Sequence, residues 1–181
     1  MVSMYPYNQA MAYTHKDGVF CPYPQGSPAF SSECPENHMS GVSSLSLALN
    51  RMGFAKFSKI AEIAGLQDLE CHGLTVFATL DSHIPAEFME KCEKLMAINV
   101  IKSSCMPKII PSTVLGQRAI AHYPSLNKRC KLKVSVRETE IGVSCDGKEN
   151  VLVKRANLTD SKNPKLLVHS VDGLLYPEYN M

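Results

Sequence analysis

The chain has 181 residues, 45% of them hydrophobic and 20% charged, with 19 basic and 17 acidic side chains giving a net charge of +2. That length fits one domain with a tail, and so even a charge balance gives no electrostatic case for nucleic acid or an anionic membrane. No stretch reaches the ~18 apolar residues of a spanning helix, the N-terminus lacks the basic start and apolar run of a signal peptide, and the terminal Glu178-Tyr179-Asn180-Met181 is no hydrophobic anchor signal.

Residues 1–40 hold Pro6, Pro22, Pro24, Pro28 and Pro35 among Tyr, Ser and Gly. No helical or strand period survives that punctuation, so an irregular lead segment over 1–40 is expected before a domain over 41–178. Cys21, Cys34 and His38 lack a close cysteine pair, and no metal site is expected of them. The other cysteines, Cys71, Cys92, Cys105, Cys130 and Cys145, bring the count to seven. An odd, scattered set outlines no compact disulfide framework and leaves at least one thiol over.

From Gly41 the texture changes. Val42, Leu45, Leu49 and Met52 recur at helical spacing before Gly53, and Phe57, Ile60, Ala61 and Ala64 repeat the pattern before Gly65. Two short amphipathic helices, each ending at a glycine, are expected. Leu74 to Asp81 is a β-rich run ending in an acid. A polar helix is expected from His83-Ile84-Pro85 onward, with Phe88, Cys92, Leu95 and Met96 on its apolar face and Asp81 or Ser82 as its N-cap. Ile98 to Ile101 continues apolar, Ser103 to Ser112 with Pro107 and Pro111 reads as loop, and a short Val114-Leu115 segment follows.

Lys131 to Arg137 alternates strictly, with Leu132, Val134 and Val136 on one face and Lys131, Lys133, Ser135 and Arg137 on the other. That is a half-buried strand with a solvated basic face. Ile141, Val143 and Cys145 make the next strand, Asp146-Gly147 a hairpin turn, and Val151 to Val153 its partner. Asn157-Leu158-Thr159 is an N-glycosylation sequon, expected on a surface loop. After a turn at Lys162-Asn163-Pro164 comes Leu166 to Pro177, whose consecutive apolar residues predict a central strand covered on both faces. Asp172-Gly173 supplies a turn or bulge there, where glycine tolerates positive φ.

Two of these stretches together resemble a known family. Thr75–Asp81, T-V-F-A-T-L-D, resembles the first box of the fasciclin domain, and Leu167–Pro177, L-V-H-S-V-D-G-L-L-Y-P, resembles its second. Leu49–Leu66 is similar to the family's opening helices, so the likeness runs from about Ser40 to Pro177. Its divergent middle is closest to the plant fasciclin-like, arabinogalactan-type proteins. The matching positions are Thr75, Val76, Phe77, Ala78 and Asp81 in the first box and His169, Asp172 and Gly173 in the second. Thr79-Leu80 stands where the family has Pro-Thr, and Ile98-Asn99 where it has a Tyr-His pair.

The resemblance implies an α+β fold, a wedge of two small sheets with short helices along one side and the two boxes as neighbouring strands. In that setting Asp81 and His169 are interior hydrogen-bonding groups. It also implies a non-catalytic extracellular adhesion module that needs no cofactor and binds cell-wall or matrix polysaccharide or protein, glycosylated at Asn157. Two alternatives stand beside it. One is a small-molecule cyclase or hydrolase drawing on His72, His83, His122, His169, Asp81 or Asp172, although no motif of known catalytic spacing joins them. The other is a cytoplasmic relative without a secretion signal. The sequence leaves oligomeric state open.

Overall fold

Apolar positions at helical spacing build the first layer. In the computed structural model, which describes residues 43–67, 69, 73–146 and 150–176, helix α1 spans Ser44–Arg51 and α2 spans Ala55–Ala64. The Ser43 hydroxyl caps α1 by accepting the Ser46 amide at 3.2 Å. Leu45, Ala48 and Leu49 of α1, and Phe57, Ile60, Ala61 and Ala64 of α2, are buried as their spacing predicts. Gly65 closes α2 in the left-handed region (φ 62°), where its amide reaches the carbonyls of Ala61 and Glu62. The irregular segment expected over 1–40, together with Cys71, His72 and Gly147, lies outside the described residues.

The remaining helices are α3 (Ala86–Lys91), α4 (Lys94–Ser104) and α5 (Ser112–Leu115). The strands are β1 (Leu74–Thr79), β2 (Cys105–Met106), β3 (Ile120–Pro124), β4 (Lys131–Arg137), β5 (Glu140–Cys145), β6 (Val151–Asp160) and β7 (Asn163–Val171). Their order across the sheet is β2-β1-β7-β6-β5-β4-β3. The two box strands are neighbours: β1 runs parallel to β7, with Leu74 opposite Leu166 and Thr79 opposite Val171. Every other pairing is antiparallel.

The fold is α+β. Its two small sheets share one long strand, because Val151 and Leu152 of β6 pair with β5 while the rest of β6 follows β7 through register shifts. The period of two in a strand then assigns each face its own core. Val76 and Ala78 of β1 point to the helices and pack with Leu45, Phe57 and Ile101. Phe77 points the other way, to Leu132, Val134 and Val143 of the second sheet. All six residues of β1 and the last six of β7 are buried, which is why both read as apolar runs with only short polar interruptions.

The structure corrects several expectations. The single helix after Pro85 is two, broken where Cys92 takes an extended backbone (ψ 96°). The break resets the phase of the apolar stripe, so α4 buries Ala97, Val100 and Ile101 and leaves Leu95 71% exposed. Ser103 and Ser104 finish α4, so the loop expected from Ser103 begins only after β2. Strand β7 ends at Val171, well short of Pro177, because Asp172 turns away to bond β6. Asn163 and Pro164 open β7, and the turn before it falls at Ser161-Lys162. No helix among the described residues is long and apolar enough to cross a membrane.

Candidate functional site

The box residues knit one loop to the centre of the sheet. His169 is fully buried in β7 and stacks on Phe77 with ring centroids 5.5 Å apart. Its Nε2 lies 3.0 Å from the Ile110 carbonyl and its Nδ1 lies 3.3 Å from the Asn157 amide. A carbonyl can only accept and an amide N–H can only donate, so the ring is the neutral Nε2–H tautomer. One strand away, the Thr75 hydroxyl donates to the Lys108 carbonyl (2.6 Å) and accepts the Ile110 amide (2.8 Å). Asn157 completes the clasp: its Oδ1 accepts the Ser112 amide (2.9 Å) and its Nδ2 donates to the Ser112 hydroxyl (2.7 Å).

Asn157 is therefore not on a loop. It sits within β6, exposed, in a register shift between Arg155 and Leu158, with φ 57°. Asparagine tolerates that left-handed backbone better than most side chains do, and the shift turns its amide out of the ladder toward His169.

Asp81 is not the N-cap of its own segment, a short 3₁₀ turn over Asp81–His83 that follows Leu80. Its Oδ1 instead accepts the Lys56 amide (3.0 Å) in the first turn of α2, whose own N-cap, Phe54, has no side chain able to do so. A carboxylate delivered from elsewhere in the chain satisfies one of the unpaired amides there. Asp172 accepts the Leu152 amide (2.6 Å) and pairs with Lys154 (2.9 Å), tying β7 to β6. Burial pushes its carboxyl up, but the Lys154 ammonium and the Leu152 amide together outweigh that and hold it below the usual value.

Gly173 is required for closeness rather than for a positive φ. It is absent from the left-handed positions, yet a Cβ there would stand 2.5 Å from Val151 Cγ1, and its carbonyl accepts the Thr79 hydroxyl at 2.9 Å. Gly173→Ala is expected to cost about 1–2 kcal/mol, because valine is stiff and yields only by shifting the start of β6. Adding Val151→Ala should recover at least half of the loss in urea unfolding. A double variant no more stable than Gly173→Ala would show that the crowding lies elsewhere.

The titratable groups considered for catalysis are dispersed. His169 lies within the sheet, Asp81 in its 3₁₀ turn bonded to α2, Asp172 just past β7 bonded to β6, and the exposed His122 on β3. The exposed His83 ring lies 3.0 Å from the hydroxyl of its neighbour Ser82. His72 lies outside the described residues.

Asn99 leads to a different feature. Leu95, Ile98, Asn99 and Lys102 stand at i, i+3, i+4 and i+7 of α4, hence on one face of the helix and opposite the buried Ala97, Val100 and Ile101. That face and the turn Leu126, Asn127, Lys128 and Arg129 enclose an open groove of about 490 Å³. The turn is sewn to the end of the helix. The Asn127 amide bonds the Lys102 carbonyl (3.0 Å), the Leu126 amide bonds the Cys105 carbonyl (2.8 Å), and Asn127 Nδ2 donates to Ser103 Oγ (3.0 Å). Carbonyls that a helix C-terminus leaves unsatisfied are thus met by the turn.

The turn is also stiff in itself. Asn127 Oδ1 accepts the Arg129 amide (3.1 Å), the Asn127 carbonyl accepts the Cys130 amide (2.9 Å), and the Ser125 hydroxyl lies 2.7 Å from the Cys130 carbonyl. A disulfide then joins Cys130 to Cys145 of β5. The groove's charged members are Lys102, Lys128 and Arg129, and none of them pairs with an acid among the described residues. Chemically this is an aliphatic floor beside a cationic corner on a rigid frame, fit to bind an anion that has an apolar part. The one available signal for it was the i, i+3, i+4, i+7 set, which fits a core stripe equally well.

No family model matches the chain, and none of the curated proteins matches it. Among solved structures, a FAS1 domain pair from the insect cell adhesion molecule fasciclin I is similar to it at 16% identity with a TM-score of 0.49, over 71% of this chain and 43% of that one. The chain spans less than half the length of that domain pair.

Proposed function

We propose that residues 41–178 form a fasciclin-type adhesion module, of the plant arabinogalactan-associated kind, that binds a cell-wall or matrix component outside the cell and carries a glycan on Asn157. The reading rests on one observation above all, the preorganised cationic groove between α4 and the 126–129 turn, which contains Asn99. The two sequence boxes support the family assignment. The Cys130–Cys145 bridge suits an oxidising compartment. No step of the proposed binding calls for a cofactor or a catalytic group.

The test is binding of the full chain to an insoluble cell-wall or matrix preparation, for the wild type and for Lys128→Glu/Arg129→Glu. The charge-reversed protein should bind at least about tenfold more weakly with an unchanged melting temperature, since both side chains are exposed. Wild-type binding should also weaken as salt is added. Equal binding by the two proteins would remove the groove from the account.

A further inference from the structure

We infer that the occupant of the groove is a peptide segment in which carboxylates stand beside an aliphatic side chain, a reading that rests on the adhesion-module proposal and narrows its partner to a protein. Three features of the groove select that chemistry.

First, its floor is aliphatic. Leu95 is 71% exposed, a large apolar side chain held in water, and Ile98 and Leu126 flank it. Among the described residues no aromatic ring lines the groove, and its floor gives a base or the apolar face of a sugar ring no platform to stack on.

Second, its charges are gathered at one end. The Asn127–Lys102 backbone bond places Lys128 and Arg129 beside Lys102, at the C-terminal end of α4, while Leu95 lies at the N-terminal end. Arg129 offers the planar fork that takes a carboxylate through two parallel hydrogen bonds, and the lysines add point charges. Among the described residues that line the groove, none is an acid that would compete.

Third, the dimensions fit. At 1.5 Å rise per residue, the row from Leu95 to Lys102 is about 10 Å long, the reach of about three residues of extended chain. The occupant therefore lies with its acids against Lys102, Lys128 and Arg129 and its aliphatic side chain over Leu95 and Ile98. Because the turn is already fixed by its own hydrogen bonds and by the Cys130–Cys145 bridge, little ordering is needed on the receiving side.

The test is an amide-resolved NMR titration of the ¹⁵N-labelled full chain with three probes. These are the capped peptide Leu-Leu-Glu-Glu, its Ser-Ser-Glu-Glu counterpart, and polygalacturonate. The leucine peptide should shift the amides of Leu95 to Lys102 and of Leu126 to Arg129, and should bind about tenfold tighter than the serine peptide. Leu95→Ser should erase that difference, and Arg129→Glu should abolish both interactions.

Equal affinity for the two peptides, shifts confined to other surfaces, or a stronger response of the same amides to polygalacturonate would overturn the inference. Failure of the broader reading looks different. If all three probes are inert while Lys128→Glu/Arg129→Glu still destroys matrix binding, only the peptide assignment falls. If the charge reversal leaves matrix binding intact, the groove's role falls with it.

Discussion

His169→Ala is expected to destabilise the chain by about 3–5 kcal/mol, a large share of what a domain of this size has. The ring is fully buried between Phe77 and the loop that carries Ile110. Truncation removes an aromatic-sized volume from a close-packed interior and leaves the Ile110 carbonyl and the Asn157 amide without partners, each at a cost of about 1–3 kcal/mol. His169→Gln keeps one donor and one acceptor near the same place and should lose less. Urea unfolding of the three proteins checks the order, and an alanine variant as stable as the glutamine one would refute the clasp.

The same residue sets a pH dependence of known sign. Burial pushes the His169 imidazole below its ordinary value of 6.5, against a smaller upward pull from its bond to the Ile110 carbonyl. The folded chain keeps the ring neutral, whereas the unfolded chain takes up a proton once the pH drops below 6.5. Stability is therefore complete above that value, falls as the pH drops below it, and levels off once the folded ring also protonates, with a slope of at most about 1.4 kcal/mol per pH unit. The carboxylates act in a more acidic window. A side-chain hydrogen bond from Arg51 holds Asp160 below its ordinary 3.8, against the upward push of burial. Asp172 is likewise held below 3.8. Both contribute stability that is present above 3.8 and lost as the pH falls through their lower folded values. The loss that sets in below pH 6.5, ahead of the carboxylates' window, should be absent in His169→Gln.

Breaking the Cys130–Cys145 bridge is the second large effect. It closes a loop of sequence separation 15, for which the chain-entropy account gives about 3 kcal/mol. Cys130→Ala/Cys145→Ala removes the bridge without leaving a stray thiol, and mild reduction of the native chain should act in the same direction. Binding should suffer as well as stability, since the backbone of Cys130 accepts and donates within the turn that forms one wall of the groove. The double alanine variant should melt lower and bind the matrix preparation more weakly at temperatures where it is still folded. A melting temperature unmoved by reductant would contradict the bridge.

The strands and helices that follow a single local period were legible in the sequence. The alternation from Lys131 to Arg137 matches β4 residue for residue, and the apolar runs at Leu74 and Leu166 become β1 and the buried last six residues of its neighbour β7. What escaped depends on partners far along the chain. Asp81 reads as a local cap, yet its acceptor serves α2, twenty-five residues earlier. Gly173 reads as a turn glycine, yet Val151 is what forbids a side chain there. Strand β3 has exposed and half-buried residues in alternation and too little apolar content to announce itself. The groove stayed hidden because Leu95 looks like a core residue, and only the break at Cys92 turns it outward.

Peptide mapping of the protein from its native source tests the proposed extracellular location most directly. After N-glycosidase treatment, position 157 should read as Asp in place of Asn157, with a matching drop in intact mass. Without reduction, Cys130 and Cys145 should be recovered in one linked peptide. An unshifted mass equal to the bare chain, with both thiols open to alkylation before reduction, would place the protein in a reducing compartment and contradict the account.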